Sequence, residues 1–248
     1  MARQILALAL SVLLAVLPVV QAEPPATPWR VLATELPPLA LEKGSDAPGA
    51  LIELVREMAH RSGQDIRVEY LPWTRAQAMT QSGTHTLILP LTRTPERETR
   101  YRWLVPLYTR HIVFFVLGSR GADSLSVESL RKRRIGVLRS TPGLGQLRER
   151  GFTQILEIES NDKMARMLKL GMLDALYGDE RINRYSLQKN GLGAAGLKVF
   201  PPQQTDVLWL GGSKDISDAE IALWQDALAQ IRRDKTLDRI LGKYHLKD

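Results

Sequence analysis

The sequence contains no cysteine, only 4 histidines and few aromatic residues, with 4 Phe, 5 Trp and 6 Tyr among 248 residues. Without cysteine no disulfide can form, so a buried apolar core has to hold the fold together. The histidines, His60, His85, His111 and His245, share no metal-ligand spacing, which argues against a metal site. The Gly-x-Ser-x-Gly elbow and the zinc-protease helix motif are also absent. We therefore predict neither a metal nor a cofactor, and no simple hydrolase.

Long hydrophobic runs are absent after the first 22 residues. At the start, Arg3 precedes an apolar run over 5–20 that ends in Val20-Gln21-Ala22. A positive start, an apolar middle and a small-residue exit are typical of a secretory signal peptide. We expect residues 1–22 to be removed by a cut after Ala22 and the mature protein to reside in the periplasm. Since no later segment could span a bilayer, we expect no membrane insertion after cleavage.

The charge is basic but not concentrated, with 34 Lys and Arg against 27 Asp and Glu and a net charge of +7. A basic protein can bind nucleic acid or acidic lipid, but export makes nucleic acid an unsuitable partner. One basic run, Arg131-Lys132-Arg133-Arg134, directly precedes an apolar segment. We interpret that run as a solvated rim and predict no nucleic-acid partner.

Strand-like and helix-like segments alternate along the mature chain. Apolar β-type segments are predicted at 30–34, 66–71, 86–89, 111–117, 135–138, 154–158, 174–177, 197–200 and 206–210. Helical periodicity is predicted at 51–61, 74–81, 144–150 and 162–170. Near the C-terminus, Ser217 with Glu220 three residues later predicts a capping box that starts a helix. This alternation predicts an α/β fold with mostly parallel sheets and helices on both faces.

Two such series joined by two crossings predict two lobes with a cleft between them. We assign residues 23–117 and 206–248 to lobe 1 and residues 118–205 to lobe 2. The hinges are expected near 116–120 and 201–207, where a polar stretch and the segment Pro201-Pro202-Gln203-Gln204 interrupt the pattern.

Four segments follow predicted strands and carry polar chemistry: 34–38, 71–76, 91–97 with 106–108, and 177–180. In open α/β sheets, ligands bind beyond the carboxyl ends of the strands, so these segments have the right position. Arg97 offers a planar fork that can hold a carboxylate through two parallel hydrogen bonds. Asp179 and Glu35 offer negative charge to an ammonium group. Taken singly, each segment also fits an ordinary surface turn.

Three further features bear on ligand binding. Trp73 offers a flat apolar wall, and Ser140 and Thr141 lead into a predicted helix whose free N–H groups suit an anion. The run Gly191-Leu192-Gly193-Ala194-Ala195-Gly196 matches a dinucleotide fingerprint only in spacing. Because it follows a helical stretch and precedes a strand, the reverse of what that site needs, we interpret it as a helix-ending loop.

Together these segments resemble the periplasmic solute-binding proteins of amino-acid ABC transporters, the extracellular family 3 type, over residues 29–244. The most specific match is Thr92-Arg93-Thr94-Pro95-Glu96-Arg97 followed by residues 103–108, which is similar to the family's threonine, acidic, arginine signature and its sequel. Residues 173–179 look like the family's strand that ends in a ligand-binding Asp. The resemblance implies the type II periplasmic-binding-protein fold, with two lobes of mixed, mostly parallel sheet joined by two hinge crossings.

The resemblance also implies roles for individual residues. Arg97 and Thr92 would hold the α-carboxylate of a solute, with help from N–H groups around Ser140 and Thr141. Asp179 would hold the α-ammonium from the opposite lobe. Glu35 and Trp73 stand where the family often has an acidic selecting residue and an aromatic one. The chain departs from the family pattern at Leu39, at residues 83–86 and at Pro90, so the solute could also be another small anion or zwitterion.

The predicted function is therefore capture of a small polar solute by a monomeric, non-enzymatic binding protein for an inner-membrane ABC permease. One alternative is a periplasmic enzyme on the same scaffold, similar to cyclohexadienyl dehydratase, in which Glu35, Asp179 or Glu180 serves as the acid. Another is a ligand-presenting partner of a membrane sensor, which would use the same closed form.

Overall fold

The computed structural model describes residues 28–42, 47–118 and 124–246. The predicted signal peptide of residues 1–22 and its cut after Ala22 lie outside the described residues, as do residues 119–120 of the predicted first hinge. Within the described ranges, no helix combines the length and the apolar character needed to cross a membrane.

Nine strands make up one continuous sheet in the described part of the chain. They are β1 (Trp29–Ala33), β2 (Ile66–Tyr70), β3 (Thr86–Thr92), β4 (Arg102–Leu117), β5 (Ile135–Leu138), β6 (Ile155–Ile158), β7 (Ala175–Asp179), β8 (Leu197–Val199) and β9 (Gln204–Gly212). The helices that flank the sheet are α1 (Ala50–Arg61), α2 (Trp73–Ser82), α3 (Pro95–Glu98), α4 (Gly143–Glu149), α5 (Asn161–Lys169), α6 (Glu180–Lys189), α7 (Asp218–Arg233) and α8 (Thr236–Lys243).

The strand order is β2-β1-β3-β9-β4-β7-β5-β6, with β8 paired to β4 beside this path. The pairs β1–β2, β1–β3, β5–β6 and β5–β7 are parallel, as the alternating pattern predicts. The pairs that involve β4 or β9 are antiparallel. The sheet is therefore mixed, with parallel strands at both ends and two long antiparallel strands between them.

Strand β4 differs most from its prediction, because it begins at Arg102 and not at His111. Its first part contains Pro106, Thr109 and Arg110, which obscure the apolar pattern of a strand. Pairing with β9 nevertheless extends from Arg102 to Ile112, with register shifts on either side of Val105–Pro106. Proline is tolerated in a strand at such irregularities, so the tertiary pairing overrides the local signal.

The buried apolar side chains fall into two groups along the chain. Apart from Ile182, one group comes from residues 29–108 and 208–246, and the other comes from residues 112–200. Residues 112–117, assigned from sequence to lobe 1, pair with β7 and β8 and pack in the second group. Because β4 passes through both groups, we now propose that the first crossing lies at 109–111. The division into two lobes stays a proposal.

Helix α7 begins where the sequence predicts. Ser217 is its N-cap and accepts a hydrogen bond from the Glu220 N–H at 3.2 Å, while the Glu220 carboxylate accepts one from the Ser217 N–H at 2.8 Å. The predicted inward residues Trp224, Leu228 and Ile231 are buried, whereas Ile221 is half-buried against the same core. The reciprocal cap thus fixes the start of the helix that covers the first group of strands.

We expect Ser217→Ala to lower the free energy of unfolding by about 1 kcal/mol, because the substitution leaves a helix N–H without its capping acceptor. Urea denaturation followed by circular dichroism measures the change. Ser82→Ala is the control, since the Ser82 hydroxyl only donates to Ala78 of its own helix at an exposed position, and its effect should stay within about 0.5 kcal/mol. Equal effects of the two substitutions would contradict the role of the cap.

Candidate functional site

A cavity of about 510 Å³ opens beyond the carboxyl ends of the parallel strands, in the position where open α/β sheets bind ligands. Residues at or after the ends of β1, β2, β3, β5, β6 and β7 line it. They therefore come from the parts of the chain that form both groups of buried side chains. All seven residues singled out from the sequence lie on its wall: Glu35, Trp73, Thr92, Arg97, Ser140, Thr141 and Asp179. The structure therefore brings the predicted set together, and their binding roles remain predictions.

Arg97 lies in the short helix α3, directly after the β3 strand end. Its Nη1 donates to the Thr92 carbonyl oxygen at 3.2 Å, and its Nη2 approaches the Gln77 side-chain oxygen at 3.4 Å. Burial lowers the pKa of Arg97, but an arginine stays protonated at neutral pH. Because both acceptors are uncharged, the positive charge of Arg97 is not neutralised by these contacts.

Thr92 is the last residue of β3 and is buried. Its carbonyl oxygen accepts from Arg97, and its Oγ1 accepts from Arg110 Nη2 at 3.1 Å. A hydroxyl that accepts one hydrogen bond can still donate its own hydrogen. Thr92 therefore links two guanidinium groups and can donate a hydrogen bond to an anion in the cavity.

Asp179 ends β7 and caps α6 from inside the protein. Its Oδ1 accepts from the Ile182 N–H at 2.9 Å, and its Oδ2 is buried without a hydrogen-bond partner among the described residues. Burial raises the pKa of the Asp179 carboxyl, although the Ile182 N–H and the charge of Arg110 act in the opposite direction. A buried carboxylate oxygen without a partner is unfavourable, so a cationic ligand group at Oδ2 would be stabilised.

Ser140 and Thr141 form the turn between β5 and α4. Ser140 has a left-handed backbone with φ of 59°, and the Thr141 hydroxyl donates to the Leu138 carbonyl oxygen at 2.7 Å. Helix α4 begins at Gly143, with Pro142 and not Thr141 at its N-cap. The hydroxyl hydrogen of Thr141 is thus already used, and donation to an anion by N–H groups of this turn stays a prediction.

Glu35 and Trp73 lie on the side of the cavity formed by β1 and β2. Glu35 follows β1 and is exposed. Trp73 is the first residue of α2, where it is half-buried against the apolar cluster of Leu32 and Ala76. Trp73 therefore packs on the core and also lines the cavity.

The opposite rim carries charges of both signs that lie close to one another. Arg139 approaches Glu159 at 3.7 Å, and Lys189 approaches Asp162 at 3.8 Å. Such exposed pairs contribute little to stability, but they balance the charge of this rim.

Several lining residues were not singled out from the sequence, among them Arg110, Tyr177 and Gln146. Arg110 comes from the part of β4 that was not predicted as strand, and Tyr177 donates from its hydroxyl to the Gln146 side-chain oxygen at 3.2 Å. Because Thr109, Arg110 and His111 interrupt the apolar pattern, no local signal in the sequence pointed to Arg110. Glu180, considered as an acid in the enzyme alternative, is instead the first residue of α6 and pairs with Arg184 at 2.7 Å.

The sequence from residue 31 to residue 247 matches the family model described as bacterial extracellular solute-binding proteins, family 3. The chain belongs to this family. The match covers every residue that lines the cavity, and the predicted family is confirmed. The predicted type II periplasmic-binding-protein fold is confirmed by the solved structures that superpose on the chain.

Individual relatives of this family 3 protein are distant. It is 22% identical over 237 residues to a probable histidine-binding protein of Neisseria gonorrhoeae. The alignment covers 92% of this chain and 87% of the relative. The GluR0 ligand-binding core of Nostoc punctiforme, solved with L-glutamate, superposes with a TM-score of 0.76 at 16% identity, over 88% of this chain and 99% of that one.

A third similar structure is the ancestral amino acid-binding protein AncCDT-1, a precursor of cyclohexadienyl dehydratase. It superposes with a TM-score of 0.73 at 21% identity, over 87% of this chain and 94% of that one. At identities this low, the superpositions show that this chain and the two solved structures share a fold.

We expect Asp179→Asn to raise the melting temperature of the solute-free family 3 protein at neutral pH. A carboxyl whose pKa is raised on folding is more stable protonated in the folded protein than in the unfolded chain. Its contribution to the stability is complete below the unfolded pKa of about 3.9 and is lost as the pH rises through the folded pKa. Asparagine carries no charge and still caps a helix. The gain should therefore grow as the pH rises from about 4 to neutrality, at about 2–4 °C per kcal/mol.

Thermal unfolding without solute, followed across this pH range, measures the difference between the two proteins. Asp174→Asn is the matched control, because the Arg134 hydrogen bond lowers the pKa of Asp174. That carboxylate stabilises the fold above its unfolded pKa, so its substitution should lower the melting temperature at neutral pH. A loss of stability in Asp179→Asn that is independent of pH would contradict a raised pKa of the Asp179 carboxyl in the folded protein.

Proposed function

We propose that this protein binds a small zwitterion, an α-amino acid or a close analogue, in the cavity that contains Arg97 and Asp179. The observation that carries the proposal is the pairing of two incompletely satisfied charged groups in one cavity. Arg97 has only neutral hydrogen-bond acceptors, and Asp179 Oδ2 has no partner among the described residues. A molecule with a carboxylate and an ammonium group complements both.

The carboxylate of the solute binds to Arg97 and Thr92. A guanidinium and a carboxylate form short, charge-assisted hydrogen bonds that are stronger than neutral ones. The half-buried position of Arg97 strengthens such a contact, since less water screens it. Thr92 adds a hydroxyl donor beside Arg97, on the rigid end of β3.

The ammonium of the solute binds to Asp179. Its Oδ1 is occupied by the Ile182 N–H, so the free Oδ2 is the atom that receives the ligand cation. A cation near this oxygen favours the ionised carboxylate and counteracts the effect of burial on its pKa. The site therefore recognises the amino group through an atom whose partner is missing in the solute-free protein.

Glu35 and Trp73 select the solute side chain. Both lie on the β1 and β2 side of the cavity, away from the α6 end that carries Asp179. The relatives described as histidine-binding and as glutamate-bound support an amino acid as the solute class. Their different side chains leave its identity to a binding screen.

Solute binding closes the two lobes by hinge bending. Arg97 and Thr92 belong to the segment between β3 and β4, whereas Asp179 belongs to β7 of the second group. A solute that contacts both groups binds the closed form more tightly than the open one, and this difference in affinity shifts the equilibrium.

We further propose that the mature protein is a periplasmic monomer that delivers its solute to an inner-membrane ABC permease. Membership of an extracellular solute-binding family supports the location. A membrane sensor is the alternative partner. Uptake of the identified amino acid into cells with and without the gene distinguishes them, because only the transport role requires uptake to fall.

We expect Arg97→Gln to weaken amino-acid binding by about 100-fold, because it removes a charge-assisted contact to the carboxylate. A thermal-shift screen of the mature protein against the twenty amino acids identifies the solute, and isothermal titration calorimetry then measures Kd. Arg93→Gln is the control, since Arg93 pairs with Glu98 and does not line the cavity. Unchanged binding in Arg97→Gln would refute the site.

One observation also favours an enzyme, namely the raised pKa of the Asp179 carboxyl in a cavity with an arginine. A protonated carboxyl can act as a general acid, and AncCDT-1 is a precursor of a dehydratase on this fold. We nevertheless expect no turnover of either candidate substrate by the purified protein, because the ammonium of arogenate at Oδ2 keeps the carboxylate ionised and prephenate lacks the ammonium that this site would bind. Product formation that disappears in Asp179→Asn would establish the enzyme instead.

A further inference from the structure

Arg110 is a second guanidinium on the wall of the same cavity. It lies in β4, where the strand passes from the first group of buried residues to the second. Its Nη2 donates at 3.1 Å to both Thr92 Oγ1 and Asp206 Oδ2. Arg110 and Asp206 are directly opposite each other in the antiparallel β4–β9 pair. Arg110 therefore connects the strand crossing to the residue that we place at the solute carboxylate.

The donors of Arg110 are not all used. Its Nε is buried and has no hydrogen-bond partner among the described residues. An arginine side chain has five N–H donors in a fixed fork, while the two contacts of Arg110 both involve Nη2. A buried donor without a partner is costly, so an acceptor that enters the cavity beside Thr92 would be stabilised there.

A carboxylate near Thr92 can accept hydrogen bonds from both guanidinium groups. Its two oxygens offer about four lone-pair sites, and Arg97 already uses one N–H of Nη1 and one of Nη2 for acceptors in the protein. Pro90, which also lines the cavity, has no N–H to donate. Arg110 contacts the Thr92 hydroxyl and Arg97 contacts the Thr92 carbonyl oxygen, so an anion bound at Thr92 lies near both guanidinium groups.

Asp206 makes this arrangement possible without an excess of buried charge. The side chains of Arg110 and Asp206 are only 12% and 10% exposed, and the Asp206 carboxylate also accepts from Gln204. Asp206 itself does not line the cavity. It therefore balances the charge of Arg110 without lining the cavity, and it contacts only Nη2 of the guanidinium.

We propose that Arg110 is a second carboxylate-binding residue, so that the solute carboxylate is held jointly by Arg97, Thr92 and Arg110. The inference rests on the proposed function. It also defines the solute class more closely: the site requires an ionised carboxylate and discriminates strongly against the corresponding carboxamide. A purely structural Arg110–Asp206 pair would give no such discrimination.

The test compares a carboxylate with its neutral amide. L-Histidine and L-histidinamide, and L-glutamate and its α-amide L-isoglutamine, are titrated into the mature wild-type protein and the variants Arg110→Gln and Asp206→Asn. We expect Arg110→Gln to weaken binding of the amino acid by about 10-fold or more and to leave binding of the amide within about twofold. The preference for the carboxylate then falls by the same factor. Asp206→Asn removes the counter-charge only, so it should keep or increase that preference.

Arg110→Lys provides a second variant in case Arg110→Gln does not fold, and the melting temperature of each protein reports folding. Lysine keeps the charge and the pairing with Asp206 but lacks the fork, so we expect an intermediate loss of the carboxylate preference. An equal loss for acid and amide in the Arg110 variants, or an equal loss of preference in Asp206→Asn, assigns Arg110 to the strand pair alone and overturns the inference. If Arg97→Gln abolishes binding while Arg110→Gln does not change it, this inference fails and the proposed function stands. If no amino acid binds to the wild-type protein, both fail.

Discussion

The antiparallel pairing of β4 with β9 is the interaction on which the rest of the structure depends. From Arg102 to Ile112, β4 is hydrogen-bonded to β9, and from Ile112 onward its other edge pairs with β7. Backbone pairing thus carries the chain from one set of buried side chains to the other without a break in the sheet. Since the parallel strands on either side end at the same cavity, this pair fixes how the two halves of the site face each other.

Polar residues on the β4–β9 pair connect these strands to the site. Arg110 and Asp206 occupy opposing positions on β4 and β9, and Arg110 contacts Thr92 at the end of β3. Ile112, two residues further, is opposite Asp179 of β7. One short stretch of strand therefore lies beside the residues that we propose for the solute carboxylate and the residue that we propose for its ammonium. The same stretch is where we place the hinge, which places solute recognition and lobe closure in one structural element.

The charge balance of the cavity supports our proposal that its solute is a zwitterion. Charged pairs such as Arg139 with Glu159 balance one rim, and Asp206 balances Arg110. The charge of Arg97 and the free oxygen of Asp179 remain for a solute. An ion of only one sign would satisfy one of these groups and leave the other without a partner, which is unfavourable for buried groups.

The sequence by itself determined the family, the α/β class and seven of the residues that line the cavity, because strand ends, the 92–97 signature and the cap at Ser217 are local patterns. Local patterns also placed the start of α7 and the bounds of β5 correctly. The tertiary structure alone decided the extent of β4, the group in which residues 112–117 pack, and the presence of Arg110 at the site. These features depend on pairing between segments about 95 residues apart, and a register of that kind leaves no signal in a strand interrupted by Pro106 and Arg110.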